Sequence, residues 1–220
     1  MIHLSKKWRY LLSILSGILM VLSFPFTGSL SLLAFVAWIP LLLIEKNTIS
    51  FRHRSGRIFV HAYLTFLIYN IGTTWWIWNA SVGGAILAFV LNSLLMAIAF
   101  YLFHKINKKI GSKFSLLTLL ACWIGFEYLH HNWELSWPWL TLGNAFSIRP
   151  SWIQWYSFTG VLGGSVWILL VNYFGAKILQ QTFIANKNWL WNKRTNFFLL
   201  GSFGLPLFVS IVQILNYVEV

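Results

Sequence analysis

Residues 84–104 read Gly-Ala-Ile-Leu-Ala-Phe-Val-Leu-Asn-Ser-Leu-Leu-Met-Ala-Ile-Ala-Phe-Tyr-Leu-Phe-His, and Lys105, Lys108, Lys109 and Lys113 follow directly. This run carries no charge and matches the ~20 residues that a helix rising ~1.5 Å per residue needs to cross a bilayer core. Only a structure that satisfies its own backbone hydrogen bonds can place such a run in hydrocarbon, so it is read as a transmembrane helix with a basic cluster at one end. Outward from it lie further apolar runs over Tyr10–Phe24, Leu30–Ile44, Ile58–Trp78, Phe114–His130, Tyr156–Leu179 and Phe197–Tyr217. The expected fold is therefore all-α, a polytopic bundle of about seven transmembrane helices. The first two runs are short, and they require bilayer thinning, interfacial Trp anchors or extension through the Pro25 turn.

Composition agrees. The 220 residues are 58% hydrophobic and 9% charged, with a mean hydropathy of +0.70, which removes the chain from the soluble globular class. A net charge of +12 would fit a nucleic-acid binder, yet the basic residues fall in short clusters between apolar runs, so no nucleic-acid partner is expected. The single cysteine, Cys122, excludes an internal disulfide and a multi-cysteine metal site, and there is no aspartate. No metal or cofactor site is visible. Lys6, Lys7 and Arg9 ahead of Tyr10–Phe24 look like the start of a signal peptide. The following Pro25-Phe26-Thr27-Gly28-Ser29 has no A-x-A-like cleavage site, so the segment is read as an uncleaved anchor.

Of the 16 Lys and Arg residues, all but Arg149 fall on one side of the expected bundle. The positive-inside rule then places the amino terminus in the cytoplasm and Val220 outside. The other side holds Phe24-Pro25-Phe26, Thr74-Trp75-Trp76-Ile77-Trp78-Asn79, and the segment His131 to Pro150 with Trp133, Trp137 and Trp139. Each Trp taken singly fits an aromatic belt at headgroup level. The segment as a whole is too apolar for a solvated loop and is expected to dip into the membrane, with Trp137, Pro138 and Trp139 forming a turn beside Glu127.

Glu127 stands near the outer end of the fifth run, where an ionisable group is a functional candidate by default. The alternative is an interfacial carboxylate paired with Arg149. Glu134 reads as solvated. Cys122 has no base beside it, since His130 lies eight residues on, and it reads as an inert core thiol. His61 looks isolated, and the adjacent His130 and His131 cannot chelate one metal as an i, i+4 pair could. Gly160, Gly163 and Gly164 permit close helix packing, and Asn79, Asn92, Asn144 and Asn172 are candidates for hydrogen bonds between helices. No self-contained active site emerges.

Several segments together resemble one family, the bacterial apolipoprotein N-acyltransferases. They are Leu22-Ser23-Phe24-Pro25-Phe26, Ala37-Trp38-Ile39-Pro40-Leu41, and Thr73-Thr74-Trp75-Trp76-Ile77-Trp78-Asn79-Ala80-Ser81. Phe126-Glu127-Tyr128-Leu129 follows, then Trp137-Pro138-Trp139-Leu140, Gly143, Pro150, Gln154 and Gly160-Val161-Leu162-Gly163. The resemblance runs over nearly the whole chain, with His130 where the family has an arginine. It implies an acyltransferase of the bacterial inner (cytoplasmic) membrane that moves an acyl chain from a phospholipid donor to the α-amino group of a diacylated apolipoprotein, the last step of lipoprotein maturation, in two ping-pong steps.

The family's Glu, Lys and Cys triad resides in a nitrilase-like domain, and the resemblance implies no catalytic residue within residues 1–220. These residues are expected to be the transmembrane domain alone, inactive as a truncated or split form, with the catalytic domain supplied by the same gene or a separate chain. Trp76, Asn79, Glu127, Trp137 and Trp139 are the candidate lipid- or substrate-binding residues. A non-catalytic membrane protein derived from that half, binding lipid or lipoprotein, is the alternative, and a small transporter is disfavoured by the lack of paired broken helices.

Overall fold

The computed structural model describes residues 3–134, 137–184 and 193–216, and among these it contains helices and turns but no strand. The all-α expectation holds. Lys187, residues 135–136 of the Trp-rich segment and residues 217–220 lie outside the described residues. In chain order the helices are α1 (Lys6–Ser23), α2 (Ile39–Ser50), α3 (Gly56–Thr74), α4 (Val82–Leu87), α5 (Ser93–Ile110), α6 (Ser115–His131), α7 (Tyr156–Leu179) and α8 (Lys193–Leu215). Among the described residues four helical stretches are long and apolar enough to cross a membrane, Ser31–Ser50, Val82–Ile110, Tyr156–Thr182 and Lys193–Leu215.

Several boundaries depart from the apolar runs, each for a local reason. The run Leu30–Ile44 is not one helix: Ser31–Phe35 forms a 3-10 turn and α2 starts only at Ile39. Pro40 has no N–H and its ring would clash with the carbonyl four residues back, which suits the first turn of a new helix. The groups freed at this break are captured by Asn172 of α7, which accepts from the Trp38 amide at 2.8 Å and donates to the Ala34 carbonyl at 2.7 Å. α3 ends at Thr74, and Trp75–Asn79 forms a 3-10 turn. The decisive run Val82–Ile110 is continuous but widens to a π turn over Ala88–Asn92, where Asn92 donates to Asn70 of α3 at 2.7 Å.

α1 packs on α3, α3 on α5, α5 on α6 and α6 on α7, while α7 also meets α2 and α8. Aromatic rings fill the centre: Trp38 meets Trp123 edge-on at 4.4 Å between centroids, and Phe66 stacks on Trp123 at 5.3 Å. Such pairs contribute about 1 kcal/mol each beyond their buried area. Between α1 and α3 the packing is partly polar. Thr65 donates to the Ser13 carbonyl at 3.0 Å, and His61 meets the Ser13 hydroxyl at 2.9 Å, so His61 is not isolated as its sequence setting implies. α8 is the peripheral helix, burying little beyond Thr195 and Ser210.

Candidate functional site, a pinned segment at the Trp-rich end

Residues 137–152 leave α6 and reach α7 through three short 3-10 turns, Pro138–Leu140, Leu142–Phe146 and Pro150–Trp152. Irregular backbone of this kind at membrane depth must be satisfied by the protein around it. The structure provides those partners from both neighbouring helices. From α6, Glu127 is 3% exposed and its Oε1 accepts from the Trp123 indole and from the Leu142 amide, each at 2.9 Å. Its Oε2 is buried without a hydrogen-bond partner. From α7, Ser165 accepts from the Gly143 amide at 3.0 Å and Tyr156 donates to the Gly143 carbonyl at 2.9 Å.

The segment also braces itself. Asn144 donates to the carbonyls of Pro138 and Trp139, and Thr141 donates to Pro138 at 2.8 Å. With its hydroxyl proton so used, Thr141 accepts from His131 Nε2 at 2.6 Å. His130 is approached on both ring nitrogens, by the Trp133 indole at 2.9 Å and the Trp137 amide at 3.3 Å. A neutral imidazole accepts through one nitrogen only, so the shorter bond is kept and Trp137 makes a packing contact, its ring stacked on His130 at 5.5 Å.

Glycine makes the close approach to α7 possible. A Cβ on Gly143 would overlap the Val161 carbonyl oxygen, and one on Gly164 would overlap the Tyr156 hydroxyl. Gly160 has φ 64°, a left-handed conformation that costs L-residues energy, and it offsets the first turn of α7 from the rest of the helix. Gly164 packs against the segment at Gly143 rather than against another helix, a Cβ on Gly163 would meet Thr159 and Trp155 at the start of α7 itself, and Gly160 serves a bend.

Glu127 thus holds the segment at Leu142, while Trp137 stacks on His130. Trp76 and Trp139 meet at the surface of the segment, with ring centroids 6.2 Å apart and each 39% exposed. Asn79 lies exposed at the end of the Trp75–Asn79 turn. The pairing of Glu127 with Arg149 is overturned, because Glu127 faces inward to backbone and indole donors while the Arg149 guanidinium lies 5.8 Å from the Trp152 ring. Cys122 is not a fully buried core thiol. It is half-buried and lines a laterally open apolar groove of about 600 Å³ between α5 and α6, with Leu95, Ile98, Phe126 and Leu129.

Sequence reasoning missed a polar cluster at the opposite, basic end. Glu45 is 3% exposed and its Oε1 meets His104 Nδ1 at 3.2 Å and Asn107 Nδ2 at 3.0 Å. The apolar run Leu30–Ile44 stops one residue short of Glu45, and nothing in it marks a buried carboxylate. The signal that could have found it is the continuation of helical spacing through Glu45, Thr48 and Ile49, with His104 and Asn107 one turn apart on another run.

An apolar helical bundle carrying a pinned irregular segment with a tryptophan surface is the architecture of a membrane-embedded protein. Residues 16–174 match the family of apolipoprotein N-acyltransferase N-terminal domains, and the chain belongs to that family. The match stops short of α8, so it covers less than the near-complete chain that the motifs alone imply. The apolipoprotein N-acyltransferase of Chlorobaculum tepidum is 32% identical over 165 residues, covering 74% of this chain and 30% of that protein. The one from Geobacter metallireducens is 31% identical over 182 residues, covering 78% and 33%. The chain thus spans about a third of the length of these relatives. No solved structure gives a significant match.

Proposed function

We propose that residues 1–220 are the membrane platform of a phospholipid-dependent N-acyltransferase acting on the diacylglyceryl-cysteine of apolipoproteins in the bacterial inner membrane. The observation that carries this reading is the segment 137–152, fixed by Glu127, Ser165 and Tyr156 so that Trp139 stands beside Trp76 at the surface. Acyl transfer between two lipids needs a rigid, amphipathic surface at headgroup level that holds both substrates against a reactive group, and orientation of this kind is a large share of what catalysis requires. Trp76, Asn79, Trp137 and Trp139 make up that surface, and Glu127 acts beneath it as a positioning residue.

The reactive group lies in a nitrilase-like domain outside residues 1–220, on the same protein or on a separate chain. Residues 1–220 alone should insert and fold but give no turnover of a diacylated to a triacylated lipoprotein in liposomes. Activity should appear when a nitrilase-like domain is fused or co-expressed, and Cys122→Ala should leave it intact. Turnover by residues 1–220 alone, lost in Cys122→Ala, would overturn this division of labour.

The topology proposed with this function has seven crossings, the amino terminus inside and the Trp-rich segment outside, from the one-sided basic residues. In a Cys122→Ala background, cysteine placed at the exposed position Glu134 should react with a membrane-impermeant thiol reagent in spheroplasts, and cysteine at the exposed Lys109 should react only after lysis. Labelling of Lys109→Cys before lysis would reverse the orientation.

A further inference from the structure

At the basic end, α2, α5, the start of α6 and the end of α7 enclose a cavity of about 270 Å³. At ~30 Å³ per water this is roughly nine water volumes, room for a small polar headgroup. It is unlike the apolar lateral groove of Cys122, because its lining includes Lys46, Lys177, Glu45, Asn107, Ser112 and Ser115. Glu45 is the carboxylate of this lining, and among the described residues its ion pair is with His104 rather than with either lysine. Neither the 3-10 turn Ser112–Phe114 nor α6 has a side-chain cap, and although the Ser115 amide bonds back to the Ser112 carbonyl, the positive end of the helix dipole lies at this end of the bundle.

A second observation is independent of the charge. Asn107 is 4% exposed, its Nδ2 is used by Glu45, and its Oδ1 is buried with no hydrogen-bond partner. A buried acceptor left empty costs about 1–3 kcal/mol, and because Asn107 borders the cavity, a donor entering there would relieve that cost once the amide turned to meet it. The cavity therefore offers cations and the positive end of a helix dipole for one group and an acceptor for another, within a single small volume at the level where lipid headgroups sit.

We propose that this cavity binds the headgroup of a phospholipid from the adjoining leaflet, with the phosphate diester toward Lys46, Lys177 and the start of α6, and the hydrogen-donating terminus toward Asn107 Oδ1. Ethanolamine and glycerol headgroups have this chemistry, a phosphate with an ammonium or hydroxyl donor two or three carbons beyond it. Basic pockets between helices at a membrane surface recognise anionic headgroups in the same way. The site lies at the opposite end from the Trp-rich segment and does not depend on the acyl-transfer reading. Its effect is to tie α2, α5, α6 and α7 together at their basic ends.

The test is equilibrium binding of phosphatidylethanolamine with a fluorophore on its acyl chain to the purified 220-residue chain in maltoside micelles. Lys46→Gln with Lys177→Gln should weaken binding roughly tenfold or more, since each lysine near a headgroup contributes about 1 kcal/mol. The Lys46→Arg, Lys177→Arg pair should restore most of it, and Lys6→Gln with Lys7→Gln, on the same face but away from the cavity, should not change it. Asn107→Leu should also weaken it. Unlabelled phosphatidylethanolamine or phosphatidylglycerol should compete, while diacylglycerol and millimolar inorganic phosphate should not. Competition by diacylglycerol, or equal loss in the Lys6, Lys7 pair, would show that the headgroup is not read here. Competition by inorganic phosphate at lipid-like concentrations would assign the site to a soluble phosphate and overturn the lipid. Unchanged binding in the Lys46→Gln, Lys177→Gln protein, with its helix content intact, would overturn the site altogether.

Discussion

Glu127→Leu is expected to destabilise the bundle by about 3 kcal/mol, because it strands two buried donors at once, each worth about 1–3 kcal/mol when left without an acceptor. Those donors are the Trp123 indole and the Leu142 amide, both bonded to the same Glu127 oxygen at 2.9 Å. The Leu142 amide belongs to irregular backbone with no helix of its own to supply a replacement, so the loss should fall on residues 137–152 first. Glu127→Gln keeps an oxygen at the same place to accept from both donors, so it should remain within about 1 kcal/mol of the parent protein. Reversible unfolding in mixed micelles gives the free energies, and hydrogen exchange at the Leu142 amide reports the segment directly. A Glu127→Leu protein of full stability with that amide still protected would remove Glu127 from the pinning role. A Glu127→Gln protein as damaged as Glu127→Leu would mean that the acidic group itself, rather than a hydrogen-bond acceptor, is what the segment needs.

The all-helical class and the approximate place of each helix were legible in the sequence because twenty-residue apolar runs have few other physical solutions. What the runs could not show is where helices break. Pro40 marks the break after Phe35 only in retrospect, since proline is as much at home at a helix start as at a kink, and Asn172, which stabilises the break, lies far away in the chain. Trp137, Pro138 and Trp139 were expected as a turn beside Glu127, and the bond that reaches Glu127 comes instead from Leu142, further along the same segment. The direction in which Glu127 points was not legible, because an interfacial glutamate can turn outward to Arg149 or inward to the backbone at equal sequence cost. The partners of His61 and Glu45 were not legible for a related reason. Buried polar groups reveal themselves through partners, and Ser13, His104 and Asn107 become partners only when the helices pack.

The second large effect concerns two glycines that face each other where the segment crosses α7, and here the surroundings rank the outcomes. At Gly143 the new methyl of an alanine would meet the Val161 backbone carbonyl, which cannot move without bending α7, so Gly143→Ala should cost about 3 kcal/mol, the upper end of overpacking penalties. At Gly164 the nearest obstacle is the Tyr156 hydroxyl, the far end of a side chain that can swing away. That movement gives up the 2.9 Å bond from Tyr156 to the Gly143 carbonyl, and with the tight approach of the Gly143 backbone the cost should be nearer 2 kcal/mol. Gly201 and Gly204 in α8 have open space around the position of a Cβ, and alanine there should be neutral or stabilising by up to about 1 kcal/mol through helix propensity alone. If the close approach is what fixes the segment, Gly143→Ala and Gly164→Ala should also raise iodide quenching of the tryptophans in it, while Gly201→Ala leaves quenching unchanged. Equal stability of Gly143→Ala and Gly201→Ala would mean that α7 and the segment do not meet as closely as the Val161 contact requires.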